Sequence, residues 1–361
     1  MNAHTIERPF ATDESSPGPT GWAERGLLPD ALVRAGIRRL CAARLHAEQA
    51  GGPEAVQARH ESRIASLRAS PLAIRTEDAN RQHYELPPEF FTECLGPRLK
   101  YSCAYYASGE ETLAQAEEAM LAMTAERALL ADGQDILELG CGWGSLTLWM
   151  AERYPNARIT AVSNSHAQRR FIEARCLERG FAHVRVLTRD VNDLALDAAA
   201  FDRAVSVEMF EHVRNHELLL KRIAAWLRPG GRLFVHVFCH RTLLYPFEDK
   251  RKDDWMARHF FTGGLMPSAD MLLRFQDDVA LEAEWLVDGR HYEKTANDWL
   301  ARQDRHRDAI LGVLRNVYGA RARLWFHRWR LFWMACAELF GHAGGREWMV
   351  AHYRFVRRTH A

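Results

Sequence analysis

The chain has 361 residues, 48 basic and 47 acidic side chains and a formal net charge of +1. The chain therefore lacks the strong positive charge that is typical of proteins with an obligate nucleic-acid partner, and none is expected. The seven cysteines are odd in number and unpaired in spacing, which favours reduced thiols and a cytoplasmic location. No signal peptide and no run of eighteen apolar residues is found, so stable membrane insertion is not expected.

The N-terminal part of the chain is predicted to be helical. Residues 1–20 are polar and rich in Pro, Ser, Gly and Glu, which predicts a flexible tail. Apolar residues then recur at helical spacing between residues 28 and 70, interrupted by Gly51-Gly52-Pro53, which indicates a pair of helices. Pro87-Pro88 precedes a further short helix. Residues 21–99 are therefore interpreted as a helical N-terminal segment.

Strands and helices alternate in the middle of the chain. After a helix at residues 112–131, strands are predicted at residues 135–139, 158–162, 184–188, 201–207 and 232–237. Helices fall between them at residues 146–154, 167–179 and 217–227, and residues 227–231 form a turn into the fifth strand. This alternation predicts an α/β fold with a doubly wound, mostly parallel sheet over residues 100–240. Residues 241–361 are aromatic and arginine-rich, and they are predicted to be helical and to cap the sheet.

The first of these strands runs directly into a glycine-rich turn. Glu138 near the end of the strand is followed by Gly140, Gly142 and Gly144 at every second position. Such a turn lets backbone N–H groups approach a polar ligand closely, and the positive end of the next helix points at it. The spacing differs from the G-x-G-x-x-G dinucleotide motif. It resembles the nucleotide-binding turn of class I S-adenosylmethionine-dependent methyltransferases.

Polar residues follow the next two strands as well. Asn164 after the second strand is a candidate to hold ribose hydroxyls, and Gln168 lies one helical turn further on. Asp190 after the third strand is a candidate acceptor for an adenine amine, while Val191 packs against the ring. The alternatives are structural: Asn164 as a helix cap and Asp190 as a turn residue.

An acid and an imidazole, Glu211 and His212, follow the fourth strand in the segment Val207-Glu208-Met209-Phe210-Glu211-His212. An amine acceptor must lose its proton before it attacks a methyl group, and such a pair supplies the base. Burial is expected to raise the pKa of Glu211 and to lower that of His212. The alternative for Glu211 is an acid that stabilises the first turn of the next helix.

These motifs together resemble the cyclopropane fatty acid synthase superfamily, over residues 78–357. The resemblance rests on the glycine turn, Met209-Phe210-Glu211-His212, and two further segments, His83-Tyr84-Glu85-Leu86-Pro87-Pro88-Glu89-Phe90-Phe91 and Leu99-Lys100-Tyr101-Ser102-Cys103. Three later segments are similar to the coclaurine N-methyltransferase branch: residues 259–268, Phe275-Gln276-Asp277-Asp278 and Asp288-Gly289-Arg290-His291-Tyr292.

The resemblance implies roles for individual residues. Positions that contact the methyl donor match Tyr101, Ser102, Gly140, Asn164, Gln168, Asp190 and Val191. Glu211 and His212 match the acid and imidazole that serve the amine. In the lipid-modifying relatives a bound bicarbonate acts as base, held by positions that match Cys103, Glu211, His236 and Tyr292. All four side chains are present, so bicarbonate stays open as a second cofactor, although Phe238 replaces a smaller aliphatic residue.

Several other features receive a structural interpretation. The pairs His212/His216 and His236/His240 have spacings that a metal uses, but methyl transfer requires no metal, and none is expected. Cys336 is a weaker candidate catalytic residue, since direct transfer needs no covalent intermediate. The stretch Trp325-Phe326-His327-Arg328-Trp329-Arg330 is interpreted as a packed amphipathic helix. Phe260, Phe261 and Trp329 are candidates to line an acceptor pocket, where cation–π contact suits a methylated ammonium product.

The sequence therefore predicts an S-adenosylmethionine-dependent methyltransferase that acts on the nitrogen of a small, aromatic amine. Glu211 and His212 orient the amine and take its proton, while Cys103, His236 and Tyr292 shape the pocket. One alternative is a lipid-modifying enzyme that methylenates an unsaturated acyl chain, with peripheral membrane contact. A second is an inactive cofactor-binding scaffold. A homo-oligomer is compatible with the sequence.

Overall fold

A computed structural model describes residues 16, 18–74, 86–250 and 254–359. The N-terminal segment contains the helices α1 (Gly18–Glu24), α2 (Asp30–Gln49), α3 (Gly52–Ala69) and α4 (Pro88–Cys94). The helical pair and the short helix after Pro87 are thus confirmed. Most of the predicted tail lies outside the described residues, as do His83, Tyr84 and Glu85, and residues 18–20 already belong to α1.

The central sheet has seven strands in the order β3-β2-β1-β4-β5-β9-β8. Five of them are parallel and occupy the predicted positions: β1 (Asp135–Leu139), β2 (Arg158–Ser163), β3 (Val184–Thr188), β4 (Phe201–Val207) and β5 (Leu227–His240). Helices α5 (Leu113–Ala128), α6 (Ser145–Arg153), α7 (His166–Arg179) and α8 (His216–Trp226) precede or connect them. The doubly wound α/β fold is confirmed. Because β1 lies between β2 and β4, the strand order reverses beside β1, where such folds bind their ligands.

The region after residue 240 is only partly helical, in contrast to the prediction. It contains the strands β8 (Val279–Val287) and β9 (Trp348–Arg357), both antiparallel to their neighbours, and a small hairpin of β6 (Tyr245–Pro246) and β7 (Leu265–Met266). Strand β9 lies between β5 and β8 and is largely buried. A strand buried on both faces lacks the alternation of apolar and polar residues that identifies a strand, so its sequence does not reveal it.

The turn predicted before the fifth strand is also present, inside β5. Leu227 pairs with Phe201 of β4, and Arg232 pairs with Arg203. Residues 228–231 are therefore looped out of the pairing, and Gly230 has a φ of 74°. The predicted strand begins where the regular pairing resumes.

Helices from both ends of the chain cover one side of the sheet. After α9 (Trp255–His259), the C-terminal helices are α10 (Gly289–Arg305), α11 (Arg307–Tyr318) and α12 (Ala322–Phe340). They share one hydrophobic cluster with α4 and α5, in which Trp299, Trp329 and Trp333 are almost fully buried. The stretch at residues 325–330 is thus the packed helix that the sequence predicts. Within the described part of the chain, no helix has both the length and the apolar character needed to span a bilayer.

Candidate active site

Two cavities meet above the carboxyl ends of the parallel strands. The first is lined by residues that follow β1, β2, β3 and β4. The second is lined mostly by aromatic residues of β5 and the C-terminal region. Glu208 and His212 line both cavities. The side chains at this junction therefore face a ligand in either cavity.

The glycine turn forms one wall of the first cavity. Gly140 and Gly142 both have positive φ, of 80° and 53°, and both line the cavity. A Cβ atom on Gly140 would lie 2.7 Å from the Cβ of Met209, whereas one on Gly142 would meet no atom within 4 Å. Gly142 thus leaves space that a ligand can fill. Gly144 instead caps α6 and packs against Ile172, and it does not line the cavity.

The ends of β2 and β3 supply the polar groups of the first cavity. The predicted residues Asn164, Gln168, Asp190 and Val191 all line it. The Oε1 atom of Gln168 accepts a hydrogen bond from the Ser163 hydroxyl at 2.6 Å, and its buried Nε2 atom has no partner among the described residues. Asp190 accepts two hydrogen bonds from Asn192, both at 2.8 Å. A buried, unused donor next to a fixed carboxylate fits a ligand with ribose and adenine groups.

Other residues predicted to contact the cofactor lie elsewhere. Glu138 is buried behind the turn, where it accepts a hydrogen bond from Thr147, and burial raises its pKa to about 8. Tyr101 lines the second cavity rather than the first. Ser102 is buried and bonded to the Lys100 ammonium, and it is not among the residues that line either cavity.

The carboxylate at the junction of the cavities is that of Glu208, a residue that sequence reasoning did not select. It accepts hydrogen bonds from the Tyr292 hydroxyl at 2.6 Å, the Cys103 backbone N–H at 3.0 Å and His236 Nε2 at 3.3 Å. Its backbone φ of 47° lies in the left-handed region, which is strained for a non-glycine residue. Burial raises its pKa, while Lys100 and the bond from Tyr292 oppose the rise. The signal for Glu208 was its position directly after β4.

Glu211 and His212 lie at different depths. Glu211 is fully buried and lines neither cavity; its Oε1 atom accepts from the Phe238 N–H at 2.9 Å, and its Oε2 atom has no hydrogen-bond partner in the part of the chain described. Burial raises the pKa of Glu211 well above its usual value and lowers that of His212 to about 4. Both shifts have the predicted direction. His212 is therefore neutral near pH 7, and burial favours the protonated form of Glu211.

The second cavity is an aromatic chamber, and Glu208 and His212 line it where it meets the first cavity. On one side Phe261 contacts Phe247 and Phe238, with ring centroids 4.9 and 5.5 Å apart respectively. Tyr292 stacks on Phe340 at 4.2 Å on the other side. Of the three aromatics predicted for this pocket, Phe261 lines it, whereas Phe260 and Trp329 are fully buried and do not.

Two cysteines were candidates for chemistry at this site. Cys336 lines the second cavity, but burial raises the pKa of its thiol, which disfavours the nucleophilic thiolate. Cys103 is fully buried, and its thiol donates to the Ala104 carbonyl at 3.2 Å. Its contribution to the site is the backbone N–H that binds Glu208. No group of three residues able to hold a metal is found in the described ranges.

A comparison with family models matches residues 73–345 to the mycolic acid cyclopropane synthetase family. The chain belongs to this family. Relatives within it include the (S)-coclaurine N-methyltransferase of Thalictrum flavum subsp. glaucum, with 37% identity over 93% of the chain and 94% of the relative. The cyclopropane-fatty-acyl-phospholipid synthase of Escherichia coli (strain K12) is 31% identical over 66% of the chain and 60% of its own length.

Solved structures of family members agree with this placement. A crystal structure of coclaurine N-methyltransferase bound to N-methylheliamine and S-adenosylhomocysteine superimposes with a TM-score of 0.89 at 37% identity, covering 92% of the chain and 97% of that protein. The cyclopropane synthase MmaA2 from Mycobacterium tuberculosis shares the fold, with a TM-score of 0.68 at 23% identity over 80% of the chain and all of that protein. The chain is an S-adenosylmethionine-dependent methyltransferase, and the free Gln168 donor and the open space at Gly142 fit this cofactor.

Proposed function

We propose that this enzyme transfers a methyl group from S-adenosylmethionine to the nitrogen of a small amine that carries an aromatic ring. The observation that supports this most is the pair Glu208 and His212 at the junction of the two cavities. A carboxylate placed there faces both a methyl donor in the first cavity and an amine in the second. The relatives named as N-methyltransferases support the same acceptor atom.

The donor supplies an electrophilic methyl carbon when it is bound. The chain's own residues hold the acceptor and take its proton. Glu208 is an acceptor for the N–H of the amine, because three donors from Cys103, His236 and Tyr292 fix the carboxylate in place. His212 is neutral, so it does not repel a cationic amine. The aromatic walls exclude water and stabilise an ammonium product.

This proposal assigns Glu208 the role of base that the sequence analysis gave to Glu211. Glu211 lines neither cavity and accepts a hydrogen bond from the backbone N–H of Phe238, so it supports the wall of the chamber rather than the amine. Cys103, His236 and Tyr292 keep a role at the site as donors to Glu208. Gly140, Gly142, Asn164, Gln168, Asp190 and Val191 remain the proposed cofactor residues.

The variants Glu208→Gln and Glu211→Gln form a matched pair that tests the assignment. Glu208→Gln preserves size and removes the basic carboxylate, so we expect kcat to fall by about 10²- to 10⁴-fold while the affinity for S-adenosylhomocysteine stays within a few-fold. Glu211→Gln keeps the oxygen that accepts from the Phe238 N–H and changes a side chain that lines neither cavity, so its loss should be far smaller. Rates with a benzylic secondary amine and calorimetric binding of S-adenosylhomocysteine provide the measurements. The reverse order of losses would return the base to Glu211.

The lipid-modifying alternative has less support from the geometry. The donors that the resemblance assigns to bicarbonate, Cys103, His236 and Tyr292, surround the Glu208 carboxylate. A second anion there would meet a like charge. Expression in a bacterial host with analysis of its lipids, together with assays in bicarbonate-free buffer, distinguishes the two activities. Cyclopropanated lipids or a requirement for bicarbonate would favour the lipid enzyme, and donor binding without any methylated amine would favour the scaffold.

We also propose a cytoplasmic location, because all seven cysteines are free thiols. A homo-oligomer stays a prediction from sequence, which sedimentation of the purified enzyme tests.

A further inference from the structure

A buried series of hydrogen bonds connects Glu208 to Arg127, which lies near the end of α5. Arg127 Nη1 lies 2.8 Å from His352 Nδ1, and His352 Nε2 lies 2.8 Å from His236 Nδ1. His236 Nε2 in turn contacts Glu208 Oε1 at 3.3 Å. His236 and His352 are paired on the neighbouring strands β5 and β9, and neither is exposed.

Because the series of hydrogen bonds begins at an arginine, the direction of donation is fixed for every bond in the series. An arginine has N–H donors only, so Nδ1 of His352 must accept. Burial lowers the pKa of both histidines well below the usual value, so each is neutral and carries one N–H. His352 therefore has its hydrogen on Nε2 and donates to His236. His236 then has its hydrogen on Nε2 and donates to Glu208.

We propose that Arg127 is a positioning residue for the methyl transfer: it sets the tautomers of His352 and His236 so that His236 always donates to Glu208. This inference rests on the proposed role of Glu208 as base. With Arg127 in place, Cys103, His236 and Tyr292 all donate hydrogen bonds to Glu208, so the carboxylate stays an acceptor for the amine proton. Without Arg127, the hydrogen of His352 can move from Nε2 to Nδ1. The hydrogen of His236 can then move to its own Nδ1, and Nε2 of His236 faces the carboxylate with a lone pair.

The same series of hydrogen bonds does not conduct the proton away. A proton that left Glu208 through His236 and His352 would have to end on Arg127, which has no acceptor atom. Arg127 is half-buried and lies over the ring of Trp285 at 5.0 Å, and it lines neither cavity. Its effect on the reaction is therefore exerted through the two imidazoles alone.

Arg127→Gln and Arg127→Lys separate this role from a structural one. Lysine is also a pure donor and keeps the direction of the series, whereas the glutamine amide offers His352 an acceptor. We expect Arg127→Gln to destabilise the ionised form of Glu208 and so to raise its pKa. The acid limb of the plot of kcat against pH should then move up by about one pH unit, and kcat on that limb should fall about tenfold. Arg127→Lys should restore the wild-type profile. Affinity for S-adenosylhomocysteine should be unchanged in both.

Other groups around Glu208 also affect its titration, and they are common to all variants. The ionisable side chains that interact with it are those of Lys100, Cys103, Glu211, His212, Tyr292 and Cys336. Glu126 and Tyr105 face Arg127. Trp285→Leu is the control, because it removes the ring beneath Arg127 and leaves the series of hydrogen bonds intact. Its pH profile should match that of the wild type.

A measurement on the unmodified enzyme covers the case in which a variant fails to fold. In ¹⁵N-histidine-labelled enzyme with bound S-adenosylhomocysteine, nitrogen NMR should show His236 and His352 neutral with hydrogen on Nε2. Hydrogen on Nδ1 of His352, or identical profiles for Arg127→Gln and Arg127→Lys, would overturn the inference. Failure of the proposed function is distinguishable, since in that case Glu208→Gln keeps its rate whatever the tautomers are.

Discussion

At the scale of a residue, the proposed base Glu208 and the supporting Glu211 differ in how the backbone places their carboxyl groups. Both follow β4, three positions apart, and both are removed from bulk water. The left-handed turn at Glu208 directs its carboxylate to the donors from Cys103, His236 and Tyr292. Glu211 is placed beneath this point by its bond to Phe238. The sequence offers two acids, and the backbone conformation selects one.

Two glycines of the turn should respond differently to alanine. Gly142→Ala projects a methyl group into the open first cavity, so we expect at least tenfold weaker binding of S-adenosylhomocysteine and a stability loss of about 1–2 kcal/mol from the positive φ. Gly140→Ala places its Cβ 2.7 Å from that of Met209 and should destabilise the fold more strongly. Calorimetry and urea unfolding measure the two effects. Wild-type affinity in Gly142→Ala would show that the ligand does not approach this part of the turn.

At the scale of elements, the N-terminal helices are attached to the C-terminal ones by charges of very different burial. Glu24 at the end of α1 is fully buried and accepts hydrogen bonds from Arg328 of α12 at 3.0 Å and from Trp255 at 2.8 Å. Arg38 of α2 bonds Glu338 of α12 at 2.7 Å, but its side chain is 53% exposed. Buried and exposed ion pairs thus both connect the N-terminal helices to α12.

Removing these two charges should have unequal effects on stability. Glu24→Ala takes the carboxylate away from a buried guanidinium, so we expect a loss of about 3–5 kcal/mol in the free energy of unfolding. Arg38→Ala breaks a pair that water screens, so the loss should stay below about 1 kcal/mol. Urea denaturation followed by tryptophan fluorescence gives both values. Equal losses would mean that Glu24 is not what holds α1 against α12.

For the whole molecule, buried titratable groups set the pH range of stability. Burial lowers the pKa of His216 and His240 to about 4 and that of His259 to about 3. The unfolded chain then binds more protons than the folded one below about pH 6.5, so stability falls as the pH decreases toward about 4. Burial raises the pKa of Glu117 to about 7 and of Glu138 to about 8. Their contribution is complete below about pH 4.5 and is lost as the pH rises through about 7 to 8.

The cofactor-free enzyme should therefore be most stable near neutral pH, with the free energy of unfolding lower on both sides. Urea unfolding at about pH 5, 6.5 and 8.5 tests this. His216→Gln should reduce the decline on the acid side, and Glu138→Gln the decline on the alkaline side. His166→Gln, at an exposed position, serves as the control. An unchanged acid slope in His216→Gln would exclude this histidine as a cause of the decline.

The sequence by itself determined the α/β class, the five parallel strands and the glycine turn after β1, because these depend on local periodicity and on glycine and polar residues at strand ends. Gly140, Gly142, Asn164, Gln168, Asp190 and Val191 follow consecutive strands, and parallel strands bring their carboxyl ends to one edge. The strands β8 and β9 were not recognised, because burial on both sides of β9 removes its alternation.

Only the tertiary structure decided which side chains meet. Arg127, His236, His352 and Glu208 come from a helix, two sheet strands and a strand end separated by up to 225 positions, and no local pattern relates them. The aromatic chamber is likewise assembled from β5 and the C-terminal helices, so Phe261 lines it while its neighbour Phe260 is buried. Contacts between distant segments depend on packing of the whole chain, which periodicity and spacing do not encode.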